Sequence, residues 1–250
     1  MHQRALSPLR GSLGTFQSQS LSEDFNEIGA FSDFESDAAY TKSALDSWHY
    51  RYSKRAIDIA CALFMVTTFT IPGLAIAAAI RLSSKGPIFF REERIGRGGR
   101  IFRIWKFRTM YVNSTQVDRI AAAKPGEPHR EFRMSKSLRD PRITASGGFL
   151  RRWSLDELPQ LFNVLSGDMS LIGPRPIVKS ETHFYGDLLD FYLEATPGIS
   201  GLWQVSGRSN LGYEERAKLD ALYVSNWSHR VDEKVFWRTI PAVLGRIGAR

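Results

Sequence analysis

Cysteine is almost absent from this chain of 250 residues, which contains Cys61 and no other. A single cysteine excludes an intramolecular disulfide and any zinc site built on several cysteines. The five histidines are far apart in the sequence and lack the short spacing of metal ligands. The chain is therefore not a small domain stabilised by disulfides or by zinc.

Acidic residues are scarce after position 50. Residues 51–250 contain 31 Lys+Arg against 19 Asp+Glu, a net charge of +12, whereas residues 1–50 have a net charge of −4. A body this basic favours an anionic partner: nucleic acid, a phosphate-bearing small molecule or a membrane surface. The apolar share of 43% is ordinary for globular proteins, and it excludes both a wholly disordered chain and a many-pass membrane protein.

Residues 1–50 are rich in serine and acidic residues and show no sustained apolar periodicity. Such a segment buries too little apolar surface to offset its ordering entropy, and it lacks the apolar core of a signal peptide. We therefore predict a disordered acidic tail. A short docking helix remains open as the alternative, because apolar residues recur every three positions at Phe25, Ile28, Phe31 and Phe34.

Charged residues are missing from Ile59–Ile80, a run of 22 residues. As a helix this run is roughly 33 Å long, enough to cross a hydrocarbon layer of about 30 Å. A soluble core helix of that length would show a polar face, and this run contains only three threonines as polar residues. We predict a membrane-inserted segment over residues 51–85, which includes basic flanks.

The topology of this segment depends on Pro72 and on its flanks. Proline removes a backbone hydrogen bond inside the helix and bends it. Both flanks are basic, and lysine and arginine near membrane segments favour the cytoplasmic side. Both ends would then stay on one face, with the helix re-entrant and broken at Pro72. A kinked helix that crosses once remains the alternative.

Residues 86–250 have the pattern of a globular domain. Apolar and basic residues alternate over Ile101–Phe107, after the turn Gly96–Gly99, which predicts a half-buried strand. An apolar face at helical spacing over Phe149–Leu165 predicts helix. We expect a mainly helical α+β fold, with a polar loop around residues 124–128.

The C-terminal segment Val235–Arg250 mixes aromatic and aliphatic residues with arginines. This composition predicts a basic amphipathic helix that lies on a membrane surface and is interrupted at Pro241. A last helix packed into the core is the alternative.

The pair Asp156-Glu157 is a candidate site for chemistry. Pro159 is comfortable only in the first turn of a helix, so the helix is expected to begin near Asp156. An aspartate there is kept ionised and could attack a phosphorus atom, while Glu157 helps to hold a divalent ion. The alternative is an ordinary helix start, with capping by Ser154 or Asp156 and a glutamate in the first turn.

Several cations accompany this pair. Arg175 is held between two prolines, an arrangement that suits a fixed clamp on an anion. Arg208 follows a glycine-punctuated loop, and Lys106 and Arg108 lie at the end of the predicted strand. Taken one at a time, each of these cations has a structural or solvated role as its simpler explanation.

Taken together and in order, the motifs resemble the bacterial sugar transferases, the monotopic phosphoglycosyltransferases that act on a polyprenyl phosphate carrier. The resemblance runs from about Lys54 to the C-terminus. It rests on the motifs Lys54–Asp58, Lys106–Met110, Asp140–Thr144, Ser154–Leu165, Gly167–Pro176 and Pro197–Gly201.

The resemblance implies a re-entrant membrane helix followed by a small cytoplasmic catalytic domain with amphipathic membrane-surface helices. It implies that Asp156 attacks the β-phosphate of a UDP-sugar, releases UMP and holds a covalent phosphosugar. Undecaprenyl or another polyprenyl phosphate then accepts the hexose-1-phosphate, as the first membrane step of exopolysaccharide synthesis. Glu157 and Mg²⁺ would assist, and the phosphates would be bound by Lys106, Arg108, Arg151, Arg175 and Arg208.

Such an enzyme would lie at the cytoplasmic face of a bacterial inner membrane, on anionic lipid and without a nucleic-acid partner. We expect a compact member, divided into a tail (1–50), a membrane segment (51–85) and a catalytic domain (86–250). Glu92 stands where the family has glutamine, and larger members carry a further multi-pass N-terminal region. A glycosyltransferase that releases UDP and a non-catalytic basic membrane adaptor remain the alternatives.

Overall fold

A computed structural model of the chain describes residues 45, 47–112, 140, 142–206 and 211–245. The loop predicted around residues 124–128, Arg208 and nearly all of the predicted acidic tail lie outside these residues. In the described part, helices predominate over two small sheets, which agrees with a mainly helical α+β fold.

We number helices and strands along the chain. The helices are α1 (Arg55–Ser83), α2 (Ala145–Arg152), α3 (Leu161–Ser166), α4 (Leu189–Glu194), α5 (Leu202–Val205), α6 (Tyr213–Ser225) and α7 (His229–Leu244). The strands are β1 (Phe89–Ile95), β2 (Ile101–Phe107), β3 (Ser170–Ile172) and β4 (Gly198–Ser200). A π-helical turn, His49–Lys54, precedes α1, and 3₁₀ turns occur at Arg97–Gly99, Leu155–Gln160, Lys179–Phe184 and Gly186–Leu188.

Strands β1 and β2 form an antiparallel hairpin, in which Phe89 lies opposite Phe107 and Ile95 opposite Ile101. The turn between them uses Gly98 and Gly99 with φ of 66° and 77°, a conformation that glycine adopts without strain. In β2, Phe102 and Ile104 are buried and Ile101 and Arg103 are exposed, and the strand predicted from the alternating pattern is confirmed.

Strands β3 and β4 form a parallel pair, with Ser170 opposite Gly198. Gly173 follows β3 and approaches Gly198 so closely that a Cβ on Gly198 would lie 2.1 Å from the Gly173 nitrogen. This contact fixes the backbone at the start of the Pro174-Arg175 loop.

Helix α1 is 29 residues long, and its backbone is helical through Pro72. Over an apolar stretch of 18 residues in this helix only 6% is buried, and the side chain of Ile71 is 80% exposed. A core helix of a soluble protein would be mostly buried. By length and composition α1 can cross a membrane; the re-entrant course stays a prediction.

The N-terminal end of α1 is held to the body by buried polar contacts. Lys54, which precedes α1, pairs with Asp232 of α7 at 2.6 Å and donates to the Ile172 carbonyl at 3.0 Å. The Asp58 carboxylate accepts from the Ser170 hydroxyl at 2.8 Å and from the Leu171 backbone N–H at 3.0 Å. These bonds join α1 to β3 and α7.

Helix α7 runs to Leu244, so the interruption predicted at Pro241 is wrong. Proline in the last turn removes one backbone hydrogen bond, and the Gly245 N–H closes that turn on the Pro241 carbonyl at 2.7 Å. Val235 is buried, whereas Trp237 is 61% exposed. The helix therefore packs against the body by one face, as the core-packed interpretation required. It also exposes apolar side chains, as the membrane-surface interpretation required.

Candidate active site

The sequence between α2 and α3 makes a sharp turn at Ser154. Its φ of 55° is the one left-handed conformation of a non-glycine residue in the described part of the chain. The Ser154 side chain makes no capping hydrogen bond, so the interpretation of Ser154 as a helix cap is wrong. The expected single helical face over Phe149–Leu165 is broken here into α2, the 3₁₀ turn and α3. Strained backbone of this kind concentrates at functional sites.

Asp156 and Glu157 follow in the first turn of the 3₁₀ helix Leu155–Gln160. The Lys106 ammonium of β2 contacts the Glu157 carboxylate at 3.0 Å. Burial raises the pKa of Asp156 to about 6, and the negative charge of Glu157 adds to the rise, while Lys106 and Arg151 oppose it. Two carboxylates and two cations therefore form one cluster around Asp156.

Asn163 fixes the strand that carries Lys106 against the helix that follows Asp156. Its side-chain oxygen accepts from the Trp105 N–H at 2.9 Å, and its amide donates to the Arg103 carbonyl at 2.9 Å. Asn163 is buried. Its side chain bonds two backbone groups of β2 in the way that the backbone of a neighbouring strand would. Sequence reasoning missed this role, although an asparagine inside an apolar helical segment was a visible signal.

Arg151 is positioned from α2 and from Thr109. Its Nε donates to the Thr109 hydroxyl at 2.9 Å, while the Thr109 carbonyl accepts from the Thr144 N–H at 3.0 Å. Thr144 also caps α2 by accepting from the Gly147 N–H at 3.0 Å. Burial lowers the pKa of Arg151, and the nearby charge of Asp156 opposes that shift. Thr109 is a second residue whose role sequence reasoning missed, although it lies in the motif Lys106–Met110.

Arg108 is bound to the end of the apolar helix. Its guanidinium donates to the Ser84 carbonyl at 2.9 Å and to the Lys85 carbonyl at 2.8 Å. A cation at a helix C-terminus satisfies the last carbonyls and complements the helix dipole. In this structure Arg108 therefore holds the C-terminal end of α1 beside β2, and its hydrogen bonds do not go to the Asp156 cluster.

Arg175 lines a different part of the molecule, a small cleft that it shares with Glu181, Trp203 and Arg216. The neighbouring Ile177 pairs with Ile95, at the turn end of the β1–β2 hairpin, whereas Lys106 lies near the other end. Of the predicted cations, Lys106 and Arg151 thus lower the pKa of Asp156. Arg108 lies at the end of α1, and Arg175 lies in the separate cleft. Arg208 lies outside the described residues.

The pair Asp156 and Glu157 fits the way proteins bind Mg²⁺, which takes one or two carboxylates together with waters and substrate phosphates. Burial is the main cause of the raised pKa of Asp156, and the negative charge of Glu157 adds to it; a divalent cation would offset that repulsion. No group of three or more His, Cys, Asp or Glu side chains suited to a metal occurs among the residues that the structure describes.

The contact between α2 and Thr109 predicts that Gly147→Ala strongly lowers the stability of the fold. A Cβ at Gly147 would lie 2.1 Å from the Thr109 carbonyl oxygen, so the helix must move, at a cost of about 1–3 kcal/mol. At Gly148 the nearest atom would be the Ile143 Cγ2 at 4.0 Å. We therefore expect Gly148→Ala to be neutral or stabilising by up to about 1 kcal/mol. Thermal unfolding in detergent measures the stability of both variants. Equal unfolding midpoints for Gly147→Ala and Gly148→Ala would contradict the contact.

The charges around Asp156 predict opposite pKa shifts in two variants. Glu157→Gln removes the neighbouring negative charge and should lower the Asp156 pKa below about 6, whereas Lys106→Met removes a positive charge and should raise it. Carbon-13 NMR of the aspartate carboxyls, without divalent ions, measures the shift, with exposed Glu233→Gln as the control. Shifts in the same direction would contradict this arrangement.

Comparison with known proteins identifies the family. Residues 49–246 match the bacterial sugar transferase family. The chain is 44% identical over 80% of its length to an undecaprenyl-phosphate galactose phosphotransferase of Salmonella typhimurium, of which it covers 42%. It is 40% identical over 76% of its length to the exopolysaccharide production protein ExoY of Sinorhizobium fredii, of which it covers 85%.

A UDP-N-acetylgalactosamine-undecaprenyl-phosphate N-acetylgalactosaminephosphotransferase of Aeromonas hydrophila is 38% identical over 83% of the chain. The chain covers 47% of that relative, so it spans less than half the length of two of these three proteins. The match to the family and the coverage of the rhizobial protein agree with the resemblance found from the motifs. The chain belongs to the bacterial sugar transferase family.

Proposed function

We propose that the protein transfers a hexose-1-phosphate from a UDP-sugar to undecaprenyl phosphate or another polyprenyl phosphate, releases UMP and so begins exopolysaccharide synthesis. The observation that carries this proposal is the partly buried Asp156 beside Glu157, with Lys106 and Arg151 near it. The names of the relatives supply the hexose phosphate and the lipid acceptor.

The first step is attack by an Asp156 carboxylate oxygen on the β-phosphorus of the donor. A bond forms between that oxygen and phosphorus, and the bond from phosphorus to the oxygen bridging the two phosphates breaks. UMP leaves with the bridging oxygen and its electron pair. Asp156 is ionised above a pH of about 6, and its burial leaves it poorly solvated, which makes the carboxylate a better nucleophile.

The second step is attack by the polyprenyl phosphate on the phosphorus held by Asp156. The new phosphorus–oxygen bond gives a lipid diphosphate sugar, and the bond to Asp156 breaks and restores the carboxylate. Lys106 and Arg151 counter the negative charge that builds up in both steps. Mg²⁺, when bound by Asp156 and Glu157, supplies further positive charge to the donor diphosphate.

A membrane location follows from the lipid acceptor, and we propose that α1 inserts as a re-entrant hairpin on the cytoplasmic face of the inner membrane. Contacts at both ends of α1 support this course. Ala62 belongs to a buried cluster with Ile104 of β2, and Ile80 to one with Phe107, three residues further along that strand.

A straight helix would separate Ala62 from Ile80 by about 27 Å, whereas three strand residues span about 10 Å. A bend between the two positions would let both ends of α1 approach one strand, and Pro72 lies near the midpoint. The exposed apolar faces of α1 and α7, together with the basic body, suit a membrane surface rich in anionic lipid.

Nucleotide release tests the reaction. The 250-residue chain in detergent, given polyprenyl phosphate, Mg²⁺ and a panel of UDP-sugars, should release UMP with its preferred donor. Asp156→Asn removes the nucleophile and should lower the rate by roughly a thousandfold or more. Asp190→Asn, which changes an exposed aspartate on α4, should release UMP at the wild-type rate.

Release of UDP in place of UMP would contradict the proposal and support a simple glycosyltransferase. UMP release that survives in Asp156→Asn would contradict the covalent step. Release of neither nucleotide with any donor would support the non-catalytic membrane adaptor.

The hairpin predicts that both ends of α1 face the cytoplasm. A label can be placed before α1 with Arg51→Cys and after α1 with Lys85→Cys, each as the single cysteine in a Cys61→Ala background. Both positions are exposed. A membrane-impermeant maleimide should label both variants in inside-out vesicles and neither in right-side-out vesicles. Labelling of the two variants from opposite sides would show a helix that crosses once.

A further inference from the structure

The turn end of the β1–β2 hairpin is bonded to the segment that follows Arg175. The Ile95 N–H donates to the Ile177 carbonyl at 2.9 Å, and the Ile177 N–H donates to the Tyr192 hydroxyl at 3.2 Å. The same hydroxyl donates to the Ile95 carbonyl at 2.6 Å. Ile177 and Tyr192 are buried, so water does not compete strongly for these bonds.

Arg94, the residue before Ile95 on β1, adds a charged contact to this junction. Its Nη1 donates to the Pro176 carbonyl at 3.2 Å. Pro176 follows Arg175 directly and has a fixed φ, so a bond to its carbonyl restrains the backbone next to Arg175. Arg94 is 7% exposed, so this contact is buried as well.

Two carboxylates compensate the buried charge of Arg94. Its Nη2 donates to Glu92, two residues earlier on β1, and its Nη1 lies 4.0 Å from a carboxylate oxygen of Glu181. Glu181 is held in turn by the Val178 N–H, which donates to it at 3.1 Å. A buried guanidinium that lost such partners would destabilise the fold strongly. Arg94 is therefore held on both sides of the junction.

The other end of the same hairpin carries Lys106, which contacts Glu157 at 3.0 Å. Lys106 lies opposite Phe90, whereas Arg94 lies opposite Phe102. The two strands are paired from one end to the other, so the hairpin connects the segment around Pro176 with the Asp156 cluster.

We propose that Arg94 is a positioning residue for Arg175: it bonds Pro176 to the hairpin, and Glu92 and Glu181 balance its charge. Its link to catalysis rests on the proposed function and on the phosphate contact that the family resemblance implies for Arg175. Glu92 stands where the family has glutamine. An amide oxygen also accepts from a guanidinium, and Glu181 alone can then balance the charge, so the contact is compatible with either residue.

Amide hydrogen exchange of the 250-residue chain in detergent tests the positioning without turnover. Arg94→Met removes the guanidinium and keeps an unbranched side chain. We expect the Ile95 and Ile177 amides to exchange about tenfold faster, because a charged hydrogen bond beside them is lost. The Trp105 amide is bonded to Asn163 nearer the Lys106 end of the hairpin, and it should exchange at the wild-type rate.

Three further variants control for charge and for folding. Arg103→Met changes an exposed arginine of the same hairpin, which pairs with Glu93 at 3.1 Å, and should leave the exchange rates unchanged. Glu92→Gln keeps an acceptor for Arg94 and should also exchange as the wild type does. If Arg94→Met does not fold, Arg94→Lys keeps the buried charge without the planar fork, and the same two amides should exchange faster.

A double-mutant cycle on UMP release connects the contact to the reaction. Arg94→Met should lower kcat/KM about tenfold in the wild-type background and less than about twofold in an Arg175→Met background, because a residue that acts through Arg175 then has nothing to position. A radiolabelled donor keeps slow rates measurable. Equal fold-losses in the two backgrounds, or wild-type activity of Arg175→Met, would contradict action through Arg175.

Wild-type exchange of the Ile95 and Ile177 amides in folded Arg94→Met or Arg94→Lys would overturn the positioning. Equally accelerated exchange at Trp105 would indicate a general loss of stability and would overturn it too. The proposed function fails by a separate result, the absence of UMP release by wild-type protein, on which hydrogen exchange does not depend. The two failures are therefore distinguishable.

Discussion

A partly buried carboxylate stays ionised near neutral pH only while positive charge remains close to it. Asp156 meets that condition through Lys106 and Arg151, which oppose the effects of burial and of Glu157 on its pKa. The balance leaves the carboxylate charged but weakly solvated. A nucleophile toward phosphorus needs both properties, because a fully hydrated carboxylate is less reactive and a neutral one does not attack.

Two buried contacts in the fold position the cations Lys106 and Arg151 beside Asp156. Asn163 binds β2, which carries Lys106, and Thr109 binds α2, which carries Arg151. Arg108, which follows β2, donates to the carbonyls at the end of α1, so the strand next to the Asp156 cluster is also bonded to the apolar helix. The same short strand therefore contributes to the positions of both α1 and Asp156.

Local patterns predicted much of this arrangement. Alternation identified β2, the uncharged run identified α1, and the ordered motifs identified the family and the pair Asp156-Glu157. Side-chain partners were less predictable because they depend on contacts between distant segments. Nothing near Arg108 in sequence shows that its guanidinium reaches the carbonyls of Ser84 and Lys85. Pro241 was misjudged because a proline in a last turn costs only one hydrogen bond.

Detection of the covalent intermediate tests the central claim most directly. Protein given the UDP-sugar without a lipid acceptor is quenched, digested and examined by mass spectrometry. The account predicts a peptide containing Asp156 with a hexosyl-phosphate attached, which disappears when polyprenyl phosphate is added before the quench. UMP release in the presence of the lipid, with no modified Asp156 peptide under any quench condition, would contradict the account and indicate direct transfer between the two substrates.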